Sequence, residues 1–175
     1  IQMSEETPLL LSNSKEVQER FSLMIRETLT SIFNSYSDDS AFSGIDPYAL
    51  REKIDSLGLL PEEGRGFEEV LEQTEKEIMP HLLRTWSTKY MPHLHSPVLT
   101  ESICSELIIA CFNDSLDSWD QGPAATELEV SVIHGLIDLF GFPEDTSDGC
   151  ITSGGSQSNI SAIVAARDWY CTEKF

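Results

Sequence analysis

Positive charge is scarce in this sequence: 11 Lys and Arg stand against 30 Asp and Glu in 175 residues, a formal net charge of -19. Such a surface repels phosphate backbones, and no Lys/Arg cluster makes a local exception, which argues against nucleic-acid binding and polybasic docking on membranes. Long apolar runs are missing too. Stretches such as Leu107 to Phe112 fall far short of the ~20 residues a bilayer span needs, and the N-terminus has no basic segment followed by an apolar one. The expectation is a soluble cytoplasmic protein. Cysteine is sparse, at 104, 111, 150 and 171, with neither C-x-x-C nor Cys/His spacing. No metal site and no disulfide framework is expected; the thiols read as reduced and structural, with Cys104 and Cys111 buried. No internal repeat or low-complexity tract occurs. What is present, 40% apolar residues, suffices for a globular chain with a core.

The first two thirds of the chain read as helix. Asn13 with Glu16 three residues later is a start signal, followed by Val17, Phe21, Met24, Ile25, Thr28 and Ile32 at helical spacing. Asp46 caps a second helix with Pro47 at its first position and Gly58 as its stop. Phe67, Val70, Leu71 and Ile78 indicate a third, whose acidic residues read as its solvated face and which Pro80 ends or turns. These stripes are narrow and ask for a partner surface. Residues 91–97, Met-Pro-His-Leu-His-Ser-Pro, read as an ordered loop, since two prolines bar regular helix or central strand. A helix from about Leu99 to Phe112 follows, with Cys104 and Cys111 two turns apart on one side. After a polar connection, Pro123 opens a long helix that Gly141 closes.

The unit of most interest is the last. Residues 149–152 lean toward β-structure, glycines follow, and Ile160, Ile163, Val164 and Ala165 continue as a helix of small residues. A helix start offers unpaired N–H groups and the positive end of the helix dipole, and glycines let an anion reach that backbone. Residues 152–159, Thr-Ser-Gly-Gly-Ser-Gln-Ser-Asn, therefore fit either a phosphate cradle or an ordinary Gly/Ser turn with an N-cap. Neither the lysine of a P-loop nor a G-x-G-x-x-G pattern is present, so triphosphate and dinucleotide readings are weak. Glu127 and Glu129, though adjacent in pattern to a catalytic carboxylate pair, fall in the first turns of a helix, where the dipole favours negative charge. Trp119 and Trp169 read as packing residues, and Arg167 and Asp168 as a local pair.

The string from Asp117 to Glu129, Asp-Ser-Trp-Asp-Gln-Gly-Pro-Ala-Ala-Thr-Glu-Leu-Glu, resembles the group II pyridoxal-phosphate-dependent decarboxylases. The likeness continues in order through Gly141-Phe142-Pro143, Asp148-Gly149, residues 152–159 and Ala165 to Trp169. Residues 84–175 carry it well; residues 1–83 agree only in general character. The histidine loop and residues 117–121 look most like the branch acting on diamino acids, L-2,4-diaminobutyrate above all, with siderophore-type lysine decarboxylases close by.

The resemblance implies an α/β fold: a helical dimerisation segment over residues 1–99, then the start of the large domain of a fold-type I enzyme over 100–175, incomplete and mostly helical within this stretch. It implies pyridoxal 5'-phosphate as cofactor, its phosphate held at Gly155 and Ser156, with Ser96 a candidate for a phosphate or carboxylate contact. His93, Ser115 and Asp117 match positions around the substrate, the latter two entering the neighbouring subunit's active site in a homodimer. For His93 and His95 a structural role stays open, and Asp117 equally fits a solvated loop aspartate. A carboxylate at 117 suits a distal ammonium group through a charge-assisted hydrogen bond. The family's Schiff-base lysine, the aspartate facing the pyridine nitrogen and the histidine stacked on the ring all match positions beyond Phe175, so no catalytic residue is assigned and the 175 residues by themselves are expected to be inactive. Other substrates of the family, glutamate, cysteine sulfinate or aromatic amino acids, and an inactive dimerisation module, are the alternatives.

Overall fold

Val17, Phe21, Met24, Ile25, Thr28 and Ile32 are all partly buried along one stripe of α1 (Lys15–Ser35), as their 3.6-residue spacing requires. The computed structural model describes residues 10–36 and 39–174. They fall into two compact units, one ending at Cys111 and the other starting at Phe112, and each is described by itself.

In the first unit, α1 is entered through Ser14, which has extended backbone and no side-chain cap, so the expected Asn13 capping box does not form. The cap of α2 (Pro47–Ser56) is the expected one: Asp46 Oδ1 accepts the N–H groups of Tyr48 and Ala49 at 2.9 and 3.2 Å. Gly58 follows with φ +60°, the left-handed conformation that releases the chain. From α3 (Phe67–Gln73) the chain does not simply stop. It widens into a π turn over Thr74–Ile78, where Met79 N–H reaches Thr74 O, then tightens to a 3₁₀ turn over Met79–His81. Pro80 explains the change, because it has no N–H to donate and its ring crowds the carbonyl four residues back.

Part of the acidic run here is not merely solvated: Glu75 accepts from Asn34 of α1 at 3.3 Å, and Glu77 pairs with Lys53 of α2 at 2.8 Å. Glu72 and Lys76 pair one turn apart. The next segment is held by buried polar groups. Arg84 donates to Ser40 O and Oγ at 3.1 and 3.0 Å, and Ser87 Oγ donates to Asp39 O at 2.7 Å. Each removes a side chain from water with its partner already in place.

Helix α4 (Thr100–Phe112) ends at Asn113, whose φ of +53° is left-handed. Its Cys104 is exposed and Cys111 only half-buried, while Cys150 and Cys171 are exposed. The expected burial of Cys104 and Cys111 is thus not seen in full, because Ile103, Leu107 and Ile108 of the same helix are also exposed and no packed face encloses them among the described residues.

In the second unit, a 3₁₀ turn at Trp119–Gln121 leads into α5 (Pro123–Phe140). Gly141, with φ +71°, closes that helix: its N–H bonds to Asp138 O and that of Phe142 to Ile137 O, the paired bonds of a Schellman ending. The chain then reverses and runs back along α5. A groove of about 410 Å³ lies between them, lined by Ile133, Ile137, Phe140 and Phe142 on one side and 146–151 on the other. Ile133 and Ile137, at 8% and 7% exposure, are the buried apolar centre of this unit. Residues 149–152 have no regular secondary structure, so the expected strand is not formed among the described residues. A strand is defined by a ladder, and Ile151 N–H is instead bonded to the Glu129 carboxylate at 2.9 Å. Helix α6 (Gly155–Lys174) follows.

Candidate functional site

The turn into α6 is built by hydroxyls that bond to one another. Thr152 Oγ1 and Ser158 Oγ lie 2.6 Å apart, one donating to the other, and each is 3.3 Å from Gly154 O, which accepts from the hydroxyl whose proton is left. Gln157 reaches back, its Oε1 accepting from Ser153 N–H and Oγ at 3.2 and 2.6 Å. These contacts fix the turn without covering the helix end. The first backbone bond runs from Ser158 N–H to Gly154 O at 3.0 Å, so the amides of Gly155, Ser156 and Gln157 have no intrahelical acceptor. Among the described residues, the Ser156 hydroxyl has no hydrogen-bond partner either. Gly154 and Gly155 are not at positive φ, and a Cβ on either meets nothing within 4 Å. The fold of this unit thus places no demand of its own for glycine there. The result is an exposed concentration of donors at the positive end of a 20-residue helix.

Ser115 and Asp117 sit on the loop between α4 and α5. Asp117 N–H bonds to Ser115 Oγ at 3.3 Å, a local turn that leaves the carboxylate exposed. Gly122 is buried and packed against the same loop: a Cβ there lies 2.8 Å from Ser115 O and 3.2 Å from Leu116 Cδ2, which only glycine avoids. Asp120 is held below the usual carboxylate range, first by the Ser118 hydroxyl, which donates to it at 2.7 Å, and then by its own amide. Trp119 is exposed on its ring but donates its indole N–H to Glu127 at 2.9 Å, so it is a hydrogen-bonded residue and not simply a packing one.

The histidine segment belongs to the first unit. His93 has φ +66°, and its Nδ1 lies 3.1 Å from the Tyr90 hydroxyl, which is also 3.4 Å from His95 Nδ1. The two imidazoles, 6.1 Å apart, thus share one phenol. Tyr90 is a member of this cluster that sequence reasoning missed; its spacing of three and five residues from the histidines was the available signal. Ser96 is exposed on the same segment. Elsewhere His81 Nδ1 meets Ser43 Oγ at 2.9 Å. Among the described residues no group of three His, Cys, Asp or Glu side chains is arranged to hold a metal, and no helix is long and apolar enough to cross a membrane.

Arg167 and Asp168 pair as expected, with Nε to Oδ1 at 2.7 Å. Glu127 and Glu129, read from the sequence as dipole partners alone, have hydrogen-bonding tasks that no local rule shows, because their donors lie 8 residues before and 22 residues after them.

Comparison with known proteins bears on this geometry. Residues 47–174 match the family described as the pyridoxal-dependent decarboxylase conserved domain. The chain is similar to an L-2,4-diaminobutyrate decarboxylase of Rhizobium meliloti (strain 1021), 39% identical over 127 residues, covering 73% of this chain and 26% of that protein. A second L-2,4-diaminobutyrate decarboxylase, of Acinetobacter baumannii, is 27% identical over 170 residues, covering 97% of this chain and 32% of the relative. The chain thus spans roughly a quarter to a third of the length of the curated relatives it matches. Among solved structures, it superposes with a TM-score of 0.87 and 28% identity on the glutamate decarboxylase domain of a diaminobutyrate-pyruvate transaminase and L-2,4-diaminobutyrate decarboxylase from Vibrio parahaemolyticus. That match covers 94% of this chain and 36% of the other, and it places the two helical units within the α/β fold that the sequence resemblance implied. The family's cofactor is pyridoxal 5'-phosphate. With a family match over residues 47–174 of 175, the chain belongs to the pyridoxal-dependent decarboxylases.

Proposed function

We propose that the protein containing this chain is a pyridoxal-phosphate-dependent carboxy-lyase that removes the α-carboxylate of a diamino acid, L-2,4-diaminobutyrate first among the candidates, acting as a homodimer. The observation that carries the reading is the start of α6, where the amides of Gly155 and Ser156 and the Ser156 hydroxyl are free and two glycines leave the approach open. This donor set fits the cofactor's phosphate: a dianion at a helix N-terminus gains from the dipole and from charge-assisted hydrogen bonds together. Gly155 and Ser156 hold the phosphate in this reading.

When bound, the cofactor supplies an electron sink for the pair of electrons left behind as CO2 departs. The residues of this chain bind and orient. Asp117, exposed on an ordered loop, offers a carboxylate to the distal ammonium of the substrate, and Ser115 turns the backbone that presents it. In the first unit, His93 is the candidate substrate contact, with the Tyr90 hydroxyl 3.1 Å from its Nδ1. Support for the diamino acid comes from the acidic side chain at 117 and from the diaminobutyrate decarboxylases among the relatives.

The full-length protein is expected to develop the visible absorbance band of bound pyridoxal phosphate and to release CO2 faster from diaminobutyrate or lysine than from glutamate, cysteine sulfinate or tyrosine. Absence of both band and CO2 release overturns the enzyme reading. Asp117→Asn should raise KM for diamino acids by about tenfold, the scale of one hydrogen bond to a charged group. An equal loss on every substrate removes Asp117 from recognition.

A further inference from the structure

Helix α5 is the element that touches both functional loops of the second unit, and it does so through two carboxylates. Residues two apart on an α-helix point about 200° apart, so Glu127 and Glu129 face opposite sides. On one side, Glu127 accepts the indole N–H of Trp119 at 2.9 Å. Trp119 lies in the 3₁₀ turn that closes the 113–122 loop, whose other end is pinned by the packing of Gly122 on Ser115. On the other side, Glu129 accepts the backbone N–H of Ile151 at 2.9 Å. One turn further along the same face, Ile133 Cγ2 stands 3.3 Å from where a Gly149 Cβ would be, so residues 149–151 lie flat on α5. The phosphate turn begins directly after, at Thr152.

We propose that Glu127 and Glu129 are positioning residues that divide the work of one helix: Glu127 sets the loop bearing Ser115 and Asp117, and Glu129 sets the approach to the Gly155–Ser156 cradle. The assignment rests on the cofactor reading above. Glu127 satisfies a side-chain donor on a single 3₁₀ turn, and Glu129 a backbone donor on a segment with no ladder or helix of its own among the described residues. Ile151 N–H, in an irregular stretch without a strand partner among the described residues, is the latter donor. In this proposal the loss of either glutamate acts through the loop whose donor it accepts.

The prediction is a separation of effects in the full-length protein. Glu129→Ala is expected to weaken pyridoxal phosphate binding to the apoprotein about tenfold, as loss of one hydrogen bond to a charged acceptor implies. With cofactor saturating, its substrate KM stays at the wild-type value. Glu127→Ala is expected to raise KM several-fold with cofactor affinity unchanged, and Trp119→Phe to reproduce it, the double variant being no worse than either single one. Glu129→Gln keeps an acceptor oxygen and should recover most of the cofactor affinity. In the apoprotein, amide hydrogen exchange at Ile151 should quicken in Glu129→Ala and not in Glu127→Ala.

The proposal is overturned if both variants shift both parameters together, if neither shifts any, if Glu129→Gln is no better than Glu129→Ala, or if exchange at Ile151 ignores residue 129. Failure of the wild-type full-length protein to bind pyridoxal phosphate sinks the cofactor reading instead, and the exchange measurement then still decides whether Glu129 holds Ile151.

Discussion

Gly155→Ala separates what the fold needs from what a ligand needs. In the free protein a Cβ at this position meets nothing within 4 Å, and the backbone is not at positive φ. The substitution therefore strains nothing, and by restricting the unfolded chain it should add about 0.4–1 kcal/mol of stability. For a bound phosphate the balance reverses. Every Cβ of an α-helix tilts toward the N-terminus, so the new methyl group enters the space in front of the free amides of Gly155, Ser156 and Gln157. Displacing the phosphate from one of them forfeits a charge-assisted hydrogen bond of roughly 1.5–3 kcal/mol, which is about 10- to 100-fold in affinity. The assay is a pair of measurements on the full-length apoprotein: the thermal midpoint, expected unchanged or slightly raised, and titration with pyridoxal phosphate, expected to need far more cofactor. Unchanged affinity would show that the phosphate is not seated here. A drop in the midpoint matching the drop in affinity would make the glycine a requirement of the fold.

Gly122→Ala is the converse case: its Cβ falls 2.8 Å from Ser115 O, so overpacking should cost about 1–3 kcal/mol, seen as a lower urea midpoint, and should raise substrate KM as the 113–122 loop shifts. Asp46→Ala removes the acceptor for Tyr48 and Ala49 and should destabilise by about 1 kcal/mol, with Asp46→Asn recovering most of it. Glu77 is held below its usual value of 4.5, first by the hydrogen bond from Lys53 and then by its charge. A depressed folded pKa means that the pair's contribution is present above 4.5 and disappears as pH falls through the folded value. Lys53→Met should therefore lower the urea midpoint slightly at pH 7 and leave it unchanged once the carboxyl is protonated.

The helices that were legible in the sequence are those whose ends are specified locally. Asp46-Pro47 and Gly58 bound α2, and Pro123 and Gly141 bound α5, because a cap, a fixed φ and a left-handed residue each act within one turn. The Asn13 start was misplaced by one residue, since Ser14 next to it is equally able to adopt extended backbone and the structure uses neither side chain as a cap. The π turn at Thr74–Ile78 left no pattern of its own; only Pro80 hinted that the helix is disturbed. Residues 149–152 have the composition of a strand, but composition cannot supply the ladder partner that makes one. In the candidate site the helix start with its free amides was legible, because those donors are its own backbone. The tasks of Glu127 and Glu129 were not, since each depends on where a loop comes to lie, whereas the Tyr90 bridge to the histidines spans only three and five residues and left a local signal.

The Schellman ending at Gly141 has a consequence for how this protein tolerates change in length. Because the chain doubles back on α5 and is caught again at Gly149 and Ile151, the turn between Pro143 and Ser147 is a slack region between two fixed points. An insertion there lengthens a surface excursion without altering which backbone N–H meets Glu129. The same insertion between Ile151 and Gly155 would have no anchor downstream to absorb it and would carry the cradle away with it.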